Sequence, residues 1–199
     1  MLPRPIIAAL RGVALVAETI AESVHETDRP YHETRAEMLA GMPEQDFSNV
    51  LLRLSTDKHS FISAVIRWRT DFECSHAEFW FPKTEWTLGS RFPDGVQWRE
   101  PKSTANQRAV ILATFDGIGR AAKWVADNRI GYRYDTLGIF GIASARDWHN
   151  KKERFCSETI AEGAEMVAAP LINKAMPVSQ ITPRDLMVPP APHVISFAE

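Results

Sequence analysis

Arg154-Phe155-Cys156-Ser157-Glu158-Thr159 sets a cysteine at the point where a helical pattern, Ser157 to Ala168, begins. The first N–H groups of a helix have no partner within it, and they carry the positive end of its dipole. A thiol placed there ionises more readily than its usual pKa of about 8.5 allows. The same N–H groups can receive an oxyanion. Free cysteine also serves as a small buried apolar residue, and the hexapeptide alone leaves both readings open.

A base for such a thiol has to come from elsewhere in the chain. Cys74-Ser75-His76-Ala77-Glu78-Phe79-Trp80-Phe81 is short and aromatic-rich, which predicts a strand over Ala77 to Phe81. Strand alternation sends His76, Glu78 and Trp80 to one face and Ala77, Phe79 and Phe81 to the other. His76 is a candidate base; a histidine near a core is also an ordinary hydrogen-bonded residue. Glu78 shares its face but lies about 7 Å along the strand, where it can orient the base or pair with an arginine. Cys74 reads as a packing residue. His25, His32, His149 and His193 fall in polar, Lys-rich or proline-rich stretches.

Around these two segments the pattern alternates helix and strand. Residues 4–27 and 33–41 read as helices, with Pro30 breaking the chain between them. Asn49 to Ser55 reads as a strand and Ser60 to Trp68 as a short helix. Pro82 to Gly95, with Gly89, Pro93 and Asp94-Gly95, reads as a turn region, after which Val96 to Arg99 returns as a partner strand. Ile111, Phe115, Ile118, Ala122 and Val125 share one helical face, so Ser103 to Asn128 is the clearest helical region, as one helix or as two shorter ones divided where Gly117 and Gly119 weaken it. The tail from Pro177 to Pro192 reads as an extended strap.

Composition excludes several classes. The 199 residues are 45% apolar and 24% charged with a net charge of −2, enough for one domain of ordinary size and without a global pull towards nucleic acid. Two cysteines cannot form a disulfide framework. No apolar run approaches the roughly 20 residues that span a bilayer. Arg11, Glu18 and Glu22 interrupt the N-terminal apolar stretch, which fits an amphipathic helix better than a secretory signal. HExxH, CxxC, GxGxxG and GxxxxGK[ST] are all missing from the sequence, so neither a zinc nor a nucleotide site is expected, and no cofactor.

The order of three segments resembles the circularly permuted branch of the NlpC/P60 superfamily of papain-like cysteine hydrolases. Phe61-Ile-Ser-Ala-Val-Ile-Arg-Trp-Arg-Thr, running into Ser75-His76-Ala77-Glu78-Phe79, is similar to the helix and strand that carry the family's histidine. Gly131-Tyr-Arg-Tyr134-Asp135-Thr-Leu-Gly138 resembles the segment before its nucleophile, and Arg154-Phe-Cys156-Ser-Glu158-Thr the nucleophile turn itself. Ile181-Thr-Pro-Arg-Asp-Leu186 resembles an element near the end of such chains. The histidine precedes the cysteine, as in the permuted branch.

The resemblance implies an α+β fold, a small antiparallel sheet packed against helices, with an N-terminal helical extension over 1–48 and a catalytic domain over 49–199. It implies Cys156 as nucleophile and His76 as base, with Asp135 or Glu78 as the orienting carboxylate. Tyr134 and Ser157 are implied at the oxyanion or substrate. The implied substrate is a peptidoglycan stem or cross-link peptide. The implied setting is a delivered antibacterial effector or phage-type lysin, made in the cytoplasm and acting in a target periplasm. Its partners would be an immunity protein and a secretion-apparatus component. A thiol acyltransferase or lipid hydrolase of the same fold is the nearest alternative, for which Phe79-Trp80-Phe81 and Trp86 would line an acyl groove. A non-catalytic phage structural protein is the alternative from another class.

Overall fold

The structure, a computed structural model, describes residues 39, 41–57, 60–101, 108–135, 153–169, 171, 181–187 and 193–197. The chain divides into two units, Met1–Met42 and Pro43–Glu199. Of the first unit only Leu39, which is helical, and residues 41–42 are described, so the predicted 4–27 helix and nearly all of the 33–41 helix lie outside the described residues.

The second unit is α+β. Its strands are β1 (Leu51–Thr56), β2 (His76–Phe81), β3 (Trp86–Arg91), β4 (Gly95–Arg99), β5 (Arg108–Thr114), β6 (Arg133–Tyr134), β7 (Glu153–Arg154) and β8 (His193–Phe197). Its helices are α1 (Phe61–Thr70), α2 (Ile118–Asn128) and α3 (Cys156–Met166). Six strands form one sheet in the order β4-β3-β2-β1-β5-β8, every pair antiparallel, and β6 and β7 form a short parallel pair. Helix α3 lies against β2 and β3, and α2 lies against α3.

Register fixes what each sheet face carries. Leu52 pairs with Phe79 and Leu54 with Ala77, and Phe79 pairs with Leu88 across the next ladder. All five are fully buried and make one apolar layer. The alternate residues are polar: Arg53 pairs with Glu78 and Ser55 with His76. These are shielded too, so β2 is covered on both faces, and a buried polar row has to be satisfied by partners within the protein.

Two sequence expectations are corrected. Ser103 to Asn128 is not one helix: Arg108–Thr114 is a strand between β1 and β8, and only Ile118–Asn128 is helical. Ile111 and Ala113 are buried at alternate positions, the period of a strand, and a short apolar run satisfies both periods until its sheet neighbours are known. Gly117 then takes a left-handed backbone, φ 83°, as the cap that starts α2. The second correction is at Pro82 to Gly95, where β3 occupies the middle of the expected turn region and β4 pairs with β3. Gly89 there is no turn residue. A Cβ on it would lie 3.0 Å from the Cβ of Glu78, so any side chain there would crowd Glu78.

The other elements ahead of the tail fall close to expectation. Ser60 caps α1, its hydroxyl accepting from the Ser63 N–H, and Arg67 and Arg69 sit in the last turn, where the helix dipole favours cations. The tail departs from the expected extended strap: in its described part, 181–187, the chain turns into a short 3-10 helix at Asp185–Met187 with Ile181 and Leu186 buried, the rest of Pro177 to Pro192 lies outside the described residues, and β8 adds a strand to the sheet beside β5.

Candidate active site

Cys156 is the first residue of α3, with one residue between it and the end of β7. Phe155 is extended, so the helix begins abruptly. Three side chains fasten that first turn. Glu158 Oε2 accepts from the Phe155 N–H at 3.4 Å, Thr159 Oγ1 donates to the Phe155 carbonyl at 3.0 Å, and Ser157 Oγ donates to the Ile181 carbonyl at 2.6 Å. The Ser157 hydroxyl therefore ties the helix to the tail, and only its backbone N–H faces the sulfur.

His76, at the start of β2, is brought to Cys156 by the sheet. The Ser75 N–H donates to the Ser55 carbonyl at 3.0 Å, and Ser75 Oγ donates to Ser63 Oγ on α1 at 2.8 Å. These bonds place the Ser75 carbonyl oxygen 4.0 Å from Cys156 Sγ and bring the His76 imidazole close enough to act electrostatically on the sulfur. Burial opposes ionisation of Cys156. The hydrogen bond and charge of His76, with the N–H groups of Ala77 and Ser157, outweigh it and hold the thiol below its ordinary range. Burial likewise opposes the imidazolium, yet Cys156 and Glu78 together hold His76 above its ordinary range.

Glu78 completes the row. Its Oε2 lies 3.3 Å from His76 Nε2, and its side chain is wholly buried. Burial alone would push this carboxyl up. His76, Arg91 and Arg53 reverse that and bring it down to about 2. Arg53 reaches Oε1 at 3.3 Å from β1, and Arg91 reaches Oε2 at 3.4 Å from the end of β3.

Of the two carboxylates expected to orient the base, Glu78 is thus the one bonded to His76. Asp135 is fully buried after β6, its N–H donating to the Arg154 carbonyl at 3.2 Å, and its charge bears on Tyr134 and Glu158. Tyr134 packs in an apolar cluster with Phe155, Ile66 and Phe92. Burial and the nearby charges of Cys156 and Asp135 push its phenol well above the ordinary range, so it stays a hydrogen-bond donor. Glu158, in the same first turn as Cys156, is raised to about 8, by burial first. Arg154, 3.5 Å away, draws it down, but burial, with the charges of Asp135 and Glu162, outweighs that pull. Cys74 is buried apart from this chemistry, its thiol pushed up to about 12 by burial and by Glu73.

The residues that sequence reading missed are Arg53, Arg91 and Gly89. The first two are scattered charges in the chain and the third looks like a turn. Only the strand register makes them neighbours of Glu78.

No protein-family model and no curated protein matches the chain. Among solved structures, it is similar to the crystal structure of metalloprotein yiiX from Escherichia coli O157:H7, DUF1105, with a TM-score of 0.54 and 12% identity over 75% of this chain and 96% of that one. At that identity the likeness extends to the α+β fold.

Proposed function

We propose that this protein is a papain-like thiol hydrolase of permuted NlpC/P60 type, in which Cys156 is the nucleophile, His76 the base and Glu78 the orienting carboxylate. The observation that carries the reading is a sulfur at a helix start, set beside an imidazole whose charge favours its ionisation, with a carboxylate at 3.3 Å from that imidazole's Nε2. With Nε2–H donating to Glu78, Nδ1 is left to take the thiol proton. The thiolate attacks a carbonyl carbon and gives a tetrahedral oxyanion. The Ser157 N–H, the Ala77 N–H and the Tyr134 phenol are the donors at hand for this charge. The leaving amine takes the proton from His76, a thioester remains, and water activated by the neutral imidazole releases the acid.

The yiiX structure is described as that of a metalloprotein. Among the described residues no group of three or more His, Cys, Asp or Glu side chains is disposed to hold a metal ion.

The substrate we favour is a peptidoglycan stem or cross-link peptide. The setting we favour is an effector delivered into a target periplasm or a phage-type lysin, an immunity protein being the partner. No helix of the described residues is long and apolar enough to cross a membrane. A second reading, cleavage or transfer of an acyl ester, draws support from Ile66 and Phe92, which are only partly buried against Tyr134. Phe79 and Phe81 lend it none, because both are sealed in the core.

Incubation with purified peptidoglycan, with released fragments read by mass spectrometry, tests the reading. New peptide fragments that disappear with Cys156→Ala support it. No cleavage of peptidoglycan, with acyl esters consumed instead, moves the assignment to the second reading. Undiminished cleavage by Cys156→Ala removes both.

A further inference from the structure

We propose that Arg53 and Arg91 are positioning residues for the Cys156–His76 pair: reaching Glu78 from the two strands that flank it, they hold its carboxylate ionised and give Oε2 to the imidazole. The assignment rests on the thiol-hydrolase reading and adds to it the device that selects the working form of the base.

The geometry is a three-cation cradle around one carboxylate. Arg53 stands directly across the β1–β2 ladder from Glu78 and takes Oε1 at 3.3 Å. Arg91, at the last position of β3, takes Oε2 at 3.4 Å beside His76 Nε2 at 3.3 Å. Gly89, opposite Glu78, has no side chain to compete for the space. The glutamate side chain is fully buried, and the two arginines are 11% and 18% exposed, so these charges face one another with little water between them.

The reason two arginines are needed lies in tautomer chemistry. An uncompensated carboxyl at this depth would keep its proton. A protonated Glu78 would donate to His76 Nε2, and the neutral ring would then carry its own hydrogen on Nδ1. Nδ1 could no longer accept the thiol proton. An ionised Glu78 accepts from Nε2–H instead and leaves the Nδ1 lone pair for Cys156. Arg53 and Arg91 thus act on the sulfur through two intermediaries, without touching it.

The test uses the full chain and needs no substrate. Iodoacetamide labelling of Cys156 is followed against pH by peptide mass mapping, and the His76 tautomer by ring nitrogen NMR. Arg53→Gln with Arg91→Gln is expected to raise the labelling midpoint by about one pH unit, a tenfold loss of labelling below it. The ring signal is expected to move from Nε2–H towards Nδ1–H. In a Glu78→Gln background the same pair of substitutions should add less than half that shift, because their route is then gone. Arg53→Lys keeps the charge and should keep the midpoint. If the double variant fails to fold, the single variant of Arg91→Gln, the more exposed of the two arginines, is read alone in both backgrounds. A lowered midpoint in the unsubstituted protein that the arginine changes leave unmoved overturns this assignment alone, as does an equal shift in the Glu78→Gln background. An ordinary thiol midpoint in the unsubstituted protein overturns the hydrolase reading, and this assignment with it.

Discussion

His76 Nε2 and Glu78 Oε2 meet at 3.3 Å although the two residues are separated by one position on the same strand. Their backbones are about 7 Å apart along β2, so both side chains lean towards each other. The lean is open to Glu78 because Gly89 faces it bare. The imidazolium then borrows its stability from a carboxylate on its own strand. Replacing that carboxylate by an amide should therefore lower the His76 pKa. For Glu78→Gln we expect the alkaline limb of kcat/KM to move about one pH unit towards acid. The rate at the optimum should fall about tenfold or more. A pH–rate profile with the His76 ring followed by NMR checks both, and an unmoved alkaline limb would count against Glu78 as the orienting group.

Glu78 also ties stability to acid. Its carboxyl is brought from an ordinary 4.5 down to about 2, so its ion pairs stabilise the fold above the ordinary value and are lost as pH falls towards about 2. The Gln variant lacks this loss. Its unfolding midpoint in urea should fall less steeply between pH 4.5 and pH 2 than that of the parent chain.

Much of this site was legible because its parts are local. The Cys156 helix start, the His76 strand and the alternation that places Glu78 on the histidine face can each be read from a few consecutive residues. The choice between Glu78 and Asp135 was not legible, since it depends on which strand lies opposite. Gly89 shows why: a glycine among Pro82, Pro93 and Asp94-Gly95 has every local mark of a turn, and only its closeness to the Glu78 Cβ shows what its missing side chain leaves room for. Arg108–Thr114 failed for a related reason. Its apolar run fits a helical face extended from α2, and its two-residue period matters only once β1 and β8 flank it.

The two cysteines should differ sharply in reactivity. Burial and Glu73 hold the Cys74 thiol up to about 12, while His76 and two backbone N–H groups hold Cys156 below its ordinary range. Only a thiolate attacks iodoacetamide, so at pH 7 Cys156 should label at least about a hundred times faster than Cys74. Time-resolved peptide mapping measures the ratio directly. Labelling of Cys74 first would contradict the electrostatic assignment.

Tyr134 offers a separate check on the oxyanion. Its phenol stays protonated because it is buried and faces the charges of Cys156 and Asp135. A donor used only when the carbonyl oxygen becomes charged contributes to kcat and little to KM. Tyr134→Phe keeps the ring that packs on Phe92 at 6.0 Å between centroids and deletes the hydroxyl. We expect kcat to fall on the order of tenfold to a hundredfold with KM within about twofold. A change confined to KM would make Tyr134 a binding residue instead.

Glu158 gives the opposite pH signature to Glu78, and the contrast is testable in one series. Its carboxyl is raised to about 8 by burial, so the folded chain holds a proton that the unfolded chain has released from pH 4.5 upwards. Stability from this group is therefore full below pH 4.5 and drains away as pH climbs to about 8. Glu158→Gln keeps a carbonyl oxygen for the Phe155 N–H, now accepted at 3.4 Å by Oε2, and cannot ionise. The variant should match the parent chain at pH 4.5 and exceed it in unfolding free energy by on the order of 2 kcal/mol at pH 9. Because Phe155 directly precedes Cys156, the same substitution should also preserve activity on the alkaline side. Chemical denaturation at three pH values settles the sign: a variant less stable than the parent at pH 9 would mean that Arg154 holds Glu158 ionised after all.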